Sequence, residues 1–148
     1  MPNVRQEVAM REWRRNRAFS TDEAADLSGL HPSALRDWVA TCGTLFVSER
    51  QRGRRFYSAE DILVLRVANE MVKGGAVTLL ALAVAWEHCA GAVWINRDSC
   101  LAVKPGSVAT SSTVLCSADA LPDWDSIHII HLGRIAEATY AACEAAYK

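Results

Sequence analysis

The sequence predicts an α+β chain: a helical front half broken by a basic hairpin, then a rear part of short strands that ends in a helix. Three observations carry this. Apolar residues recur at helical spacing in several stretches between Ala24 and His88 and again after Gly133. Two β-prone runs flank the polar, glycine-containing stretch from Ser48 to Arg54. Beyond Gly91, β-branched runs alternate with turn residues.

The elements follow in order. Residues Gln6 to Arg17 read as a basic, solvated helix or arm. Ser20 and Thr21 are N-cap residues, and Glu23, three after Ser20, completes the spacing of a capping box. Ala24, Ala25 and Leu27 form the apolar side of this helix, and Gly29 breaks it with a tight turn. His31-Pro32 restarts a helix, because proline suits a first turn. Leu35, Trp38 and Val39 face the core, Arg36 and Asp37 face out, and Gly43 ends the helix. Leu45-Phe46-Val47 and Arg55-Phe56-Tyr57 are short strands of a hairpin whose tip carries arginines. Ser58, followed by Glu60 and Asp61, starts a helix from Ala59 to about Lys73, with Ile62, Leu65, Val67, Ala68 and Met71 apolar. Gly74-Gly75 stops it, and Thr78 caps another through about His88.

In the rear part, Val93-Trp94-Ile95 and Cys100 to Val103 read as strand, closed by a Lys104-Pro105-Gly106-Ser107 turn. Thr113 to Cys116 returns. Ile127 to Leu132 is read as a third strand, although so short a run is also compatible with helix. Arg134 to Tyr147 is alanine-rich and helical.

About half the residues are hydrophobic, which supports a packed core and argues against disorder. The net charge of −1 hides an asymmetry. Residues 1–73 hold 12 Lys+Arg against 10 Asp+Glu, and residues 74–148 hold 4 against 7. The basic residues cluster at Arg11, Arg14, Arg15 and Arg17 and again at Arg50, Arg52, Arg54 and Arg55. A polyanion-facing front half is expected. The basic N-terminus does not read as a signal peptide, and the apolar run from Ala76 to Trp86 is too short to span a bilayer. Five widely spaced cysteines with no Cys-x-x-Cys pair fit a reduced, cytoplasmic protein with mostly core thiols.

The run from Phe19 to Trp38 resembles the opening of MerR-type DNA-binding domains, with Gly29 in the turn and Leu35, Arg36 and Trp38 in the second helix. Asp37 departs from the family pattern, which has an aromatic there. Gly53-Arg54-Arg55-Phe56-Tyr57-Ser58-Ala59-Glu60-Asp61-Ile62 resembles the end of the family's wing. The resemblance implies a winged helix-turn-helix over residues 19–90, preceded by an arm at 1–18 and followed by a unit at 91–148 that the resemblance does not reach. It further implies double-stranded DNA as partner, transcription regulation rather than enzymatic activity, and a bacterial or phage-encoded protein associated with the nucleoid.

In such a domain the second helix enters the major groove, so Ser33, Arg36, Asp37 and Ala40 are the candidate readers. Arg36 either forks onto guanine or phosphate or pairs with a surface carboxylate. Arg50, Arg52, Arg54 and Arg55 suit phosphate oxygens. Tyr57 resembles a tyrosine that reaches phosphate, with packing beneath the wing as the alternative. Arg14, Arg15 and Arg17 either add phosphate contacts or form a soluble leader.

No cofactor or metal site is expected. His128 and His131 would lie on opposite faces of a strand, a poor geometry for ligation together with Cys143. No nucleophile elbow, phosphate loop or paired-carboxylate motif occurs. The rear unit is expected to dimerise through Ile127, Ile129, Ile135, Ala138 and Ala142, giving a homodimer on a pseudo-palindromic site. An architectural, excisionase-like DNA-bending factor and an interaction module without DNA binding are the rival readings.

Overall fold

The computed structural model describes residues 5, 12–43, 48–90, 95–105 and 113–147. Strand β1 (Phe19–Ser20) runs straight into α1 (Thr21–Ser28), and α2 (Pro32–Cys42) follows across a short turn. The hairpin strands β2 (Glu49–Gln51) and β3 (Arg54–Tyr57) lead to α3 (Ala59–Lys73) and α4 (Thr78–Cys89). The rear part holds β4 (Ser99–Val103), β5 (Thr113–Ser117), β6 (His128–Ile130) and α5 (Leu132–Ala146). Both sheets are antiparallel, ordered β1-β3-β2 and β5-β4-β6. The chain is α+β, as its patterning indicates.

Capping sets the helix starts. Ser20 Oγ accepts from the Glu23 amide and Glu23 Oε1 accepts from the Ser20 amide, both at 3.2 Å. Ser58 and Asp61 repeat the arrangement at the head of α3, at 3.0 and 2.8 Å. These reciprocal bonds satisfy amides that have no partner in a helix's first turn. His31 caps α2 through its ring, Nδ1 accepting from the Ser33 amide at 3.2 Å. Thr78 is not a cap. Val77 precedes α4 and already receives the Ala81 amide on its carbonyl, with no side-chain bond at that cap. Gly29 closes α1 at φ 77°, a left-handed conformation that favours glycine, and the Asn69 side chain of α3 donates to its carbonyl at 3.5 Å.

Helix α3 is the centre of the molecule. Ile62, Leu63, Val64 and Leu65 are all fully buried. Successive helical residues point about 100° apart, so four in a row cover every direction. The sequence pattern suggests one apolar face; the structure encloses the helix instead. Helices α1, α4 and α5 and strand β6 pack around it. The buried cluster therefore runs without a break from Phe19 and Leu35 in front to Leu101, Leu132 and Cys143 at the rear.

The hairpin is tighter than the sequence suggests. β2 occupies Glu49–Gln51, within the stretch read as loop, and Arg52-Gly53 alone makes the turn. The run Leu45-Phe46-Val47 lies outside the described residues, as do residues 6–11, the strand residues Val93 and Trp94, and Gly106 and Ser107 of the expected turn. The third rear strand spans only His128–Ile130, because α5 starts at Leu132. Gly133 is needed near that start: a Cβ there would overlap the Asn96 carbonyl and the Arg97 backbone.

Of the stretch read as a solvated arm, residues 12–17 are described, and several of them pack against the body of the chain. Residues 12–15 are helical. The Trp13 and Phe19 rings lie 5.3 and 6.2 Å from the Tyr147 ring, and Asn16 donates to the Tyr147 hydroxyl. Arg17 donates to Asp61 Oδ2 at 3.1 Å and reaches Glu49 at 3.5 Å, tying the N-terminal segment to the head of α3 and to β2.

Asp61 is 3 % exposed, and burial pushes its carboxyl above the ordinary 3.8 despite the Ser58 and Arg17 hydrogen bonds that lower it. The folded chain thus holds this proton more tightly than the unfolded chain does. The associated stability is fully present below the unfolded value and is lost as pH rises through the folded one. In urea titrations across an acidic-to-neutral series, the stability of wild type minus that of Asp61→Asn is expected to fall with rising pH. A difference that grows with pH would show that the Arg17 pair outweighs desolvation.

Candidate nucleic-acid interface

Turn and core together aim α2. Leu35 and Trp38 are buried and Val39 is half-buried, so the opposite side of the helix faces solvent. Ser33, Arg36, Asp37 and Ala40, the four candidate readers, are all exposed there. Arg36 lies 3.6 Å from Asp22 of α1, but both side chains are more than half exposed. An exposed pair of this kind contributes about 0–1 kcal/mol, so a stronger anion can displace Asp22. Ser33 Oγ sits 2.7 Å from His31 Nδ1, part of the cap that holds the first turn.

The wing concentrates positive charge. Arg52 and Gly53 both have positive φ, 50° and 79°, the requirement of a type I′ two-residue hairpin. A non-glycine residue in this region costs about 1–2 kcal/mol. The turn therefore holds an arginine at its tip at some expense in backbone energy. Arg50, Arg52 and Arg54 are exposed. Arg50 stands directly across the ladder from Arg55, whose Nη1 donates to Ser48 Oγ at 2.9 Å. Like charges in this position repel. The acid of the hairpin, Glu49, is drawn toward Arg17 rather than toward the wing arginines. Gln51, Arg52, Arg54 and Phe56 line an open groove along one side of the hairpin. A polyanion laid against the wing would relieve the repulsion.

The remaining candidates separate from this surface. Tyr57 is fully buried beneath the wing, so it packs there and does not present its hydroxyl to a phosphate. Burial raises its phenol above the ordinary 10.0, against smaller lowering effects of Thr21 and Ser48. Arg14 lies 4.1 Å over the Tyr140 ring and Arg17 binds Asp61, so both are engaged inside the chain. Arg15 is exposed and 3.5 Å from Glu60. These roles were hidden because the partners lie 32 or more residues away in sequence. His31 as a ring-nitrogen cap was missed as well; histidine is an uncommon cap, and only the following proline marks the site.

Of the expected dimerisation residues, Ile129, Ala138 and Ala142 are exposed. Ile127 and Ile135 are half-buried, Ile135 against the common core. His128 lies on β6, its ring where a side chain on Gly74 would have to go, and His131 follows that strand exposed. No group of three or more His, Cys, Asp or Glu placed to hold a metal occurs among the described residues. No helix among them is long and apolar enough to cross a membrane.

A comparison of the chain with curated proteins found no match. Residues 19–79 match the family model described as MerR HTH family regulatory protein. That span opens at β1 and closes in the first turn of α4, so it takes in both capping boxes, α2 and the wing. Residues 19–79 thus match a MerR-type helix-turn-helix DNA-binding domain, and the sheet and helix of the rear part lie outside the match.

Proposed function

We propose that the protein is a sequence-specific transcription regulator of the cytoplasm that binds double-stranded DNA as a homodimer on a pseudo-palindromic site. Helix α2 enters the major groove with Ser33, Arg36, Asp37 and Ala40 toward the base edges, and the wing lies along the backbone or an adjacent groove. The observation that carries this reading is the Arg50–Arg55 cross-strand pair beside exposed Arg52 and Arg54, an unfavourable arrangement in the free chain that phosphate would stabilise. Arg36 supports it from the reading helix, because its guanidinium lies 3.6 Å from Asp22 in a pair whose side chains are both more than half exposed.

A site selected from random duplex DNA provides the test. Arg36→Ala is expected to weaken binding to that site by about 1–3 kcal/mol while leaving circular dichroism unchanged. Replacing Arg50, Arg52 and Arg54 together is expected to weaken binding to every sequence. It should also flatten the dependence of log affinity on log salt by about one unit for each phosphate no longer neutralised. An unaltered slope would reduce the wing to a solvated hairpin, and a long footprint with phased repeats would favour an architectural role.

Dimerisation is assigned to the outer side of α5 and the adjoining sheet edge. Ala138 and Ala142 are one turn apart and exposed, and small residues let helices approach closely. Ile129 adds an exposed apolar side chain nearby in sequence. Deleting the rear unit is not a clean test, since α5 contributes to the core around α3. Ala138→Glu with Ala142→Glu changes only exposed positions. Light scattering is expected to show a dimer for wild type and a monomer of native circular dichroism for the variant. A variant that stays dimeric would move the interface elsewhere.

A further inference from the structure

The rear sheet has two faces of different character. Leu101 and Val103 of β4 point into the core cluster, joined by Ile130 and packed on by Leu115. Alternation along a strand sends Cys100 and Ala102 to the other face. The ladder register sets Cys100 directly opposite Cys116 of β5. Directly opposed residues in an antiparallel pair have Cα atoms about 4.5–5.5 Å apart, and their side chains leave the same face. A disulfide takes Cα separations of roughly 4.4–6.8 Å. The register thus puts the two cysteines on neighbouring strands and on one face, with the Cα separation of such pairs inside the range a disulfide takes.

The other cysteines are different. Cys42, Cys89 and Cys143 are buried members of the core cluster, and burial pushes the Cys89 and Cys143 thiols up to about 12 and about 11. Neither Cys100 nor Cys116 belongs to that cluster. Cys116 is half-buried, whereas Cys100 is 1 % exposed. Cys100 Sγ lies 3.7 Å from His131 Nδ1, at the head of α5, and 3.7 Å from the Asp98 carbonyl. One thiol is therefore reachable from solvent, and the other is buried beside a ring nitrogen of His131.

We propose that Cys100 and Cys116 form a reversible dithiol–disulfide site that takes small hydroperoxides as oxidant, with His131 receiving the Cys100 proton. The Cys116 thiolate attacks the peroxide: an S–O bond forms, the O–O bond breaks, and the departing oxyanion takes a proton and leaves as alcohol or water. Cys116 is then a sulfenic acid. Cys100 passes its proton to Nδ1 of His131, in the tautomer protonated at Nε2, and attacks the Cys116 sulfur. The S–S bond forms, the S–O bond breaks, and hydroxide recovers that proton as water. Two electrons pass from the thiol pair to the peroxide, and a small dithiol returns them. Burial and the neighbouring Cys100 raise the Cys116 thiol, so the first step should quicken as pH rises.

The test uses the full-length protein, treated with hydrogen peroxide, alkylated under denaturing conditions, digested and mapped by mass spectrometry. The expected product is a Cys100–Cys116 linked peptide, two hydrogens lighter than the free pair and restored by dithiothreitol, with Cys42, Cys89 and Cys143 still alkylatable. In Cys100→Ser a sulfenic-acid trap should label Cys116. His131→Asn should slow appearance of the link severalfold without slowing that labelling in the Cys100→Ser background. Linkage of any other pair would overturn the proposal. So would sulfinic acid at Cys116 with Cys100 still free, or Cys116 linked between two chains. The wild-type map decides the site without relying on any variant to fold.

Discussion

The enclosure of α3 is the constraint on which the rest of the structure depends. Four consecutive apolar residues, Ile62 to Leu65, need cover on every side, and no single neighbouring layer provides it. Helix α1 covers one side, α4 another and α5 a third. Helix α1 and the Gly29 turn aim α2, Asn69 of α3 braces that turn, and the head of α3 anchors Arg17, which in turn engages the wing's acid. The exposed face of α2 and the arginine-bearing hairpin are thus positioned by a helix that is itself enclosed.

The same enclosure explains why the basic arm behaves differently from the wing. Trp13, Arg14 and Arg17 lie over the seam between the head of α3 and the end of α5, where Tyr140 and Tyr147 offer aromatic faces. A guanidinium stacks well on such a ring and tolerates partial loss of water. In the wing, Arg50, Arg52 and Arg54 stay exposed, and Arg50 stands across the ladder from Arg55.

Much of this was legible in the sequence, and the legible parts share a physical reason. Capping boxes, Gly29, Pro32 and the Gly74-Gly75 stop act within a few residues, so Ser20–Glu23 and Ser58–Asp61 could be read directly. The Gly53 to Ile62 motif located the wing and α3 together. What was not legible depends on partners distant in the chain. β1 is two residues long and exists because Phe19 pairs with Tyr57. Tyr57 is buried because the sheet and α1 close over it, which no local pattern shows. The all-round burial of α3 looked like one apolar face because its third neighbour, α5, does not begin until Leu132. β2 was obscured by its arginines, which carry little strand signal.

Helix α5 completes the core around α3, so residues 19–79 and the rear part are expected to share one stability. Native-state amide exchange measures this most directly, by comparing opening free energies along α3 with those along α5. The most protected amides near Ile62 to Ala68 and those near Ala136 to Cys143 are predicted to open together, with the free energy of global unfolding. Exchange of the α5 amides through an opening several kcal/mol cheaper, with α3 still protected, would contradict the claim.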